Sequence, residues 1–233
     1  MSKKINFKHS DESLKKTLKT IHAYDLAVLF ERFDEEESIR VIQLIDTAKL
    51  ADVFVSIETE DQLEFFELLT EQKKKLLLRN LESDDLKEFI QEQDDEQVRE
   101  EIIGLLSAVK RKTIRLLLTY DEDLAASIMS TDFLTISRDM TIKEATLHIT
   151  TTSREQDYID TIFVENSNRE IVGSIDLKQL IMTRSGKRIF EIMNEDIQSV
   201  YEYESIEKAI ETVKDYDRNS IPVLNSKNQI LGI

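Results

Sequence analysis

An apolar residue returns every 12 positions early in the chain, at Ile21, Phe33, Ile45, Ile57, Leu69 and Leu81. A polar, turn-forming pair follows most of them, as in FDEE, IDTA, IETE, LTEQ and LESDD. Eight and nine residues after each comes an apolar pair: Leu29/Phe30, Val41/Ile42, Val53/Phe54, Phe65/Phe66, Leu77/Leu78 and Phe89/Ile90. About eight or nine residues make two and a half helical turns and leave about three for a connection. A helix-turn unit so short cannot bury its own apolar stripe, so its neighbours must stack into a small solenoid. Thr59 opens TEDQ, a capping-box pattern, and Thr47 and Ser83 are candidate N-caps. The run QEQDDEQVREE breaks the recurrence, and the pattern beyond it predicts one longer helix over EQVREEIIGLLSAVKRKTIRLLL, a strut between two domains.

The second half repeats itself. At an offset of 64, IMSTDFLTISRDMTIKEA (128–145) aligns with IMNEDIQSVYEYESIEKA (192–209), placing Met129 on Met193, Ile136 on Val200 and Ile142 on Ile206. Further on the offset becomes 59, which pairs IFVENSNREIVG with IPVLNSKNQILG and Gly173 with Gly232. Each copy reads strand, helix, strand, turn, strand, with helices starting at Thr141 and Ser205, and the first copy adds the helix DLKQLIMT. A β-α-β-β-α unit used twice predicts a paired α/β module rather than a continued solenoid. The internal repeat predicts that residues follow Ile233, since the first copy goes on after Gly173 where the second has one isoleucine.

Composition narrows the chemistry. With 47 Asp and Glu against 31 Lys and Arg, the net charge is -16, a surface that repels nucleic-acid backbones and attracts cations. No nucleic-acid partner is expected. The absence of cysteine removes disulfides, thiolate metal sites and cysteine nucleophiles. The histidines, His9, His22 and His148, are scattered, and the sequence holds no H-E-x-x-H, catalytic Ser-His-Asp arrangement or phosphate-cradling glycine loop. Four glycines exclude a dinucleotide fingerprint. The apolar runs are too short to span a bilayer and the N-terminus lacks a signal-peptide core. No enzyme is expected.

The duplicated unit resembles a CBS domain, a module that normally occurs as a tandem pair. The junction LLLTYDEDLAASIMSTDFLTISRDMTIKEA (116–145) resembles the boundary between the cytosolic domains of MgtE-type magnesium transporters, and the 12-residue helical repeats resemble that family's N-terminal domain. The resemblance implies a multidomain α and α/β chain: an all-α superhelical repeat over 1–127, a first CBS domain over 128–191 and an incomplete second over 192–233. It also implies a transmembrane domain beyond residue 233, a homodimer formed through the CBS domains, and a place at the cytoplasmic face of the membrane.

Magnesium prefers oxygen ligands and keeps much of its water, so a weak site needs only a few carboxylates on facing surfaces. Two carboxylates about 6 Å apart repel by roughly 3 kcal/mol at an effective dielectric near 20, and a bridging cation reverses the sign. The family places regulatory Mg2+ between its N-terminal and CBS domains. By that resemblance the metal-ligating positions are Asp52, Asp84 and Glu88 in the helical repeat, with Ser127 (through its carbonyl), Glu207 and Asp217 on the CBS side. Asp84 and Glu88 stand four apart, on one helical face, which independently suits a shared ion. Two positions depart from the family: Ser205 stands for a further carboxylate, and Lys214, a charge that repels cations, for a neutral contact.

CBS pairs also bind adenine nucleotides, but GSIDLKQ offers Gln179 in place of a ribose-contacting Asp and Asp176 in place of Ser or Thr, so ATP is disfavoured. The leading reading is thus a cytosolic Mg2+-sensing region of a magnesium transporter or channel, in which the ion favours the closed state. The alternatives are an adenine-nucleotide-responsive regulatory module and a helical-repeat scaffold for a protein partner.

Overall fold

The computed structural model describes residues 5–152, 161–184 and 186–233, which divide into two compact units. The first comprises residues up to 81 and 85–115, and the second comprises 82–84 and 116–233.

The first unit is built from α1 (Asp11–Lys19), α2 (Ala23–Phe30), α3 (Glu35–Leu44), α4 (Thr47–Val55), α5 (Thr59–Glu67), α6 (Glu71–Asn80), α7 (Ser83–Gln91), α8 (Glu96–Leu105) and α9 (Ala108–Leu117). From α2 to α7 the helices start at 23, 35, 47, 59, 71 and 83, an unbroken 12-residue step. Helices two apart in the chain pack together, α1 on α3, α2 on α4, α4 on α6 and α6 on α8, so consecutive helices fall into two layers. The apolar pairs at the helix ends fill the space between: Val41, Ile42, Val53, Phe54, Phe65, Phe66, Leu77, Leu78, Phe89 and Ile90 are all buried. Phe54 stands at their centre, with ring centroids 4.9 Å from Phe89, 6.1 Å from Phe65 and 6.5 Å from Phe66.

The predicted strut is two helices. Glu96 comes 13 residues after Ser83 and Ala108 comes 12 after Glu96, so QEQDDEQVREE inserts one residue into the repeat and does not end it. The recurrence is hidden because Gln93 stands where Ile or Leu stood before. Gln93 is buried all the same, and its amide donates to the Phe89 carbonyl, 2.6 Å. Between α8 and α9 the chain turns at Leu106–Ser107. The Ser107 hydroxyl accepts from Lys110 N, and the Arg111 guanidinium collects the carbonyls of Ile103, Gly104 and Leu106.

The caps also differ from expectation. His22, Asp34, Asp46, Thr70 and Asp95 are N-caps, each accepting from an amide in the following turn. Thr47 and Ser83 lie one place inside their helices, and the TEDQ box does not form because Glu58 takes the cap position without a capping bond. Short side chains reach the orphan amides of a first turn more readily than Glu does. The box that does form joins Asp34 to Glu37. Helix C-termini are satisfied at a distance. The third residue of α4, α6 and α9, a lysine each time, donates to Ile21 O, Ile42 O and Leu81 O, carbonyls about three helices back. Cations there also oppose the negative end of the helix dipole.

The second unit holds two copies of one motif. In the first, β1 (Thr135–Ser137) pairs in parallel with β2 (Thr161–Glu165), which pairs antiparallel with β3 (Ile171–Asp176). α10 (Ile142–Thr152) follows β1, and α11 (Leu177–Met182) follows β3. In the second copy β4 (Val200–Tyr201), β5 (Val223–Leu224) and β6 (Ile230–Gly232) repeat the order, with α12 (Ile206–Asp215) after β4. Both β-turns use the same device. Asn166 Oδ1 accepts from Asn168 N and Glu170 N, and Asn225 Oδ1 accepts from Lys227 N and Gln229 N. Arg169 and Asn228, 59 apart, take the matching positive φ of 63° and 57°.

The copies are interlocked. Asn194, just ahead of the second copy, exchanges backbone hydrogen bonds with Ser174 on β3 of the first, at 2.8 and 2.9 Å. Ser130, ahead of β1 in the first, does the same with Ile233, just after β6. At both crossings a methionine lies on a glycine. A Cβ on Gly173 would come within 2.8 Å of Met193 Sδ, and one on Gly232 within 2.6 Å of Ser130 O and 2.7 Å of Met129 Cγ. Glycine is required at both because the crossing segment occupies the side-chain volume. Among the described residues no helix is long and apolar enough to cross a membrane.

Candidate metal-binding residues

Of the candidate ligands, Asp84 has the most unusual surroundings. It lies in the first turn of α7, in the stretch 82–84 that groups with the second unit. There the Ser83 amide and hydroxyl both donate to Asp132 Oδ2, at 2.9 and 3.0 Å, and Thr131 N donates to Ser83 Oγ, 2.7 Å. Asp132 therefore holds Ser83 through both its amide and its hydroxyl. Beside this network Asp84 Oδ1 is shielded from solvent with no hydrogen-bond donor. A shielded acceptor left without a donor costs about 1–3 kcal/mol, which a cation beside it would offset.

Glu88 follows one turn later and is exposed, on the same helix as Asp84. Asp52, in the second half of α4, is exposed, and its backbone carbonyl accepts from the Ser56 amide and hydroxyl. Ser127 is buried in a short 3-10 turn, Ala125–Ser127, and its hydroxyl donates to Glu122 O, 3.0 Å. Glu207 is exposed in the first turn of α12, where backbone amide donation, with the Ser205 hydroxyl second, holds its carboxyl below the usual range. Asp217 is exposed just beyond α12 with φ of 49°. Among the described residues no three His, Cys, Asp or Glu side chains converge as a metal cage. Asp84 alone fits a cation by an unmet need. The exposed four fit only an ion that keeps part of its water shell, as magnesium does.

The positions at which the CBS resemblance implies nucleotide contacts in the first copy are partly engaged within the fold. Gln179 uses its amide to donate to Ile192 O, 2.7 Å, and Asp176 sits at the N-cap of α11 with no capping bond. A six-residue helix and an acidic cap make a weak cradle for phosphate. Sequence reasoning passed over Tyr120 and Glu202, whose hydroxyl and Oε2 lie 3.0 Å apart; burial first, then this bond, pushes the phenol up to about 12.

Comparison with known proteins agrees with this architecture. Residues 21–123 match the family described as MgtE intracellular N domain, and residues 125–186 and 189–233 match the CBS domain. The magnesium transporter MgtE of Enterococcus faecalis is 30% identical over 120 residues, covering 52% of this chain and 26% of that protein. That of Thermus thermophilus is 26% identical over 141 residues, covering 60% of this chain and 31% of that protein. The chain thus spans less than a third of the length of these curated relatives. Among solved structures, the cytosolic domain of the Mg2+ channel MgtE in complex with ATP superposes with a TM-score of 0.86 at 25% identity, over 96% of this chain and 91% of that one.

Proposed function

Because the chain belongs to the MgtE family, as its intracellular N domain joined to a CBS pair, we propose that it is the magnesium-sensing region of a magnesium transporter. The observation that carries the proposal is Asp84, whose shielded oxygen has no donor and calls for a cation. The net charge of -16 raises the local concentration of divalent ions. Asp84 and Glu88 would hold Mg2+ from α7, with Asp52 on the helical unit and Glu207, Asp217 and the Ser127 carbonyl on the CBS unit as further ligands. The ion supplies positive charge between acidic surfaces that otherwise repel, and so favours a closed arrangement coupled to a closed pore. In this reading the chain works at the cytoplasmic face of a membrane, joined to a transmembrane domain. It pairs with a second copy through its CBS domains, where Ile181 and Met182 of α11 stand exposed.

A second reading has its own support. One relative of closely similar fold was solved with ATP, which makes an adenine nucleotide a candidate ligand despite the commitments of Gln179 and Asp176. Calorimetric titration separates the two. Magnesium sensing predicts Mg2+ binding that Asp84→Asn weakens by about tenfold, roughly 1.4 kcal/mol. ATP binding undiminished by a chelator, with no heat from Mg2+ alone, would replace this reading with the nucleotide one. Silence toward both would leave a scaffold.

A further inference from the structure

The segment leading from α9 into the first CBS copy is bonded to the second copy. Leu124 forms an antiparallel bridge with Ser205. Ala125 N donates to Glu204 O at 2.7 Å, and Ile206 N, the first amide of α12, donates to Asp123 O at 3.0 Å. The connector is thus laid along the turn between β4 and α12, in the second copy. Its counterpart 64 residues on is held in mirror fashion by the first copy: Arg188 bridges Thr141, Ile189 N donates to Met140 O, and Ile142 N donates to Lys187 O. Each of these backbone contacts has its equivalent in the other set, and the counterpart adds one more, Phe190 N to Arg138 O at 3.1 Å.

Side-chain contacts differ between the two: on the counterpart side Arg188 Nη1 donates to Asp139 O, 2.6 Å, where the equivalent residue is Leu124. Tyr120 donates its hydroxyl to Glu202 Oε2, 3.0 Å, at the connector's upstream end. The residues 64 positions away from these two are Arg184 and Arg138, two cations that cannot form such a bond. The pseudosymmetry of the pair is therefore broken at the point where the chain arrives from the helical unit.

We infer that Tyr120 and Glu202 form a clamp that couples the connector from the helical unit to the second CBS copy, so that a ligand-driven shift at the start of α12 is passed to α9 without passing through the first copy. Tyr120 acts here as a positioning residue. Glu207, a candidate ligand, follows Ile206 directly, so an ion drawn to that turn acts on the amide that holds Asp123. This inference rests on the magnesium-sensing reading for the identity of the ligand, though not for the clamp itself.

Amide hydrogen exchange on the whole chain, with and without Mg2+, tests it. Tyr120→Phe removes one hydroxyl and keeps the ring. It is expected to speed exchange at Ala125 and Ile206 by about tenfold, equivalent to 1.4 kcal/mol, while leaving Ile142 and Ile189 unchanged. Mg2+ is expected to slow exchange at Ala125 and Ile206 in the wild type and to lose that effect in Tyr120→Phe. Equal exchange in the two proteins without Mg2+ overturns the clamp. A Mg2+ response at Ala125 that survives in Tyr120→Phe overturns the coupling, while magnesium sensing stands. Loss of any Mg2+ effect across α7 and α12 in the wild type removes the sensing reading, and the metal-free comparison still decides the clamp.

Discussion

The helical unit and the CBS unit are both repeats, but they are closed in opposite ways. In the helical unit α2, α4, α6 and α8 pack each on the next, as α1 does on α3, so the core grows by local addition. In the CBS unit each copy is completed by the segment that introduces the other, through the crossings at Ser130–Ile233 and Asn194–Ser174. A local defect in the first should spread only to neighbouring helices. A defect at a crossing should loosen both copies together, because neither copy closes alone.

Mutations can break that contrast, and the largest effect is expected in the solenoid core. Phe54 is almost fully buried among Phe65, Phe66 and Phe89, so Phe54→Ala should cost about 3–5 kcal/mol. In calorimetric melting it should lower the helical transition and leave the CBS transition in place. Gly232→Ala should cost about 1–3 kcal/mol in the other transition, since its Cβ would meet the Ser130 carbonyl. Gly173→Ala should cost less, because its nearest neighbour is the movable thioether of Met193. Equal losses at the two glycines would refute the account of the crossings.

Smaller effects sharpen the picture of the helical repeat. Asp34→Ala removes the capping box and should cost about 1 kcal/mol. Thr59→Ala, at the box that the sequence advertises and the fold does not use, should fall within about 0.5 kcal/mol of neutral. Chemical denaturation of both variants compares them directly. The last effect concerns the pH dependence of Tyr120. Its phenol is pushed up to about 12, above the unfolded value, so its contribution to stability is complete below about pH 10 and is lost as pH rises toward 12. Ultraviolet titration should find one tyrosine ionising late, and that late step should be missing in Tyr120→Phe.

Both repeats were legible in the sequence, and each lost its legibility at a different place. The 12-residue step was plain because Ile21, Ile45, Leu69 and Leu81 must all be buried at the same place in each unit. It was lost at Gln93, where a polar side chain is buried by satisfying its amide on Phe89, a solution that hydropathy cannot register. The duplication was equally plain, since Met129 and Met193, or Gly173 and Gly232, serve the same contacts. What could not be read was the exchange between copies, for a repeat specifies which residues are equivalent and not which copy each will touch. The candidate ligands were named through family resemblance. Only for Asp84 does the fold add a physical reason, the oxygen without a donor, that no spacing of carboxylates discloses.

The central claim, that magnesium acts on this chain by drawing acidic surfaces together, is tested most directly by small-angle scattering against Mg2+ with a potassium control of matched ionic strength. The account predicts a magnesium-specific fall in the radius of gyration that Asp84→Asn with Asp217→Asn diminishes. A radius that follows ionic strength alone, the same in both salts through the millimolar range, would contradict it.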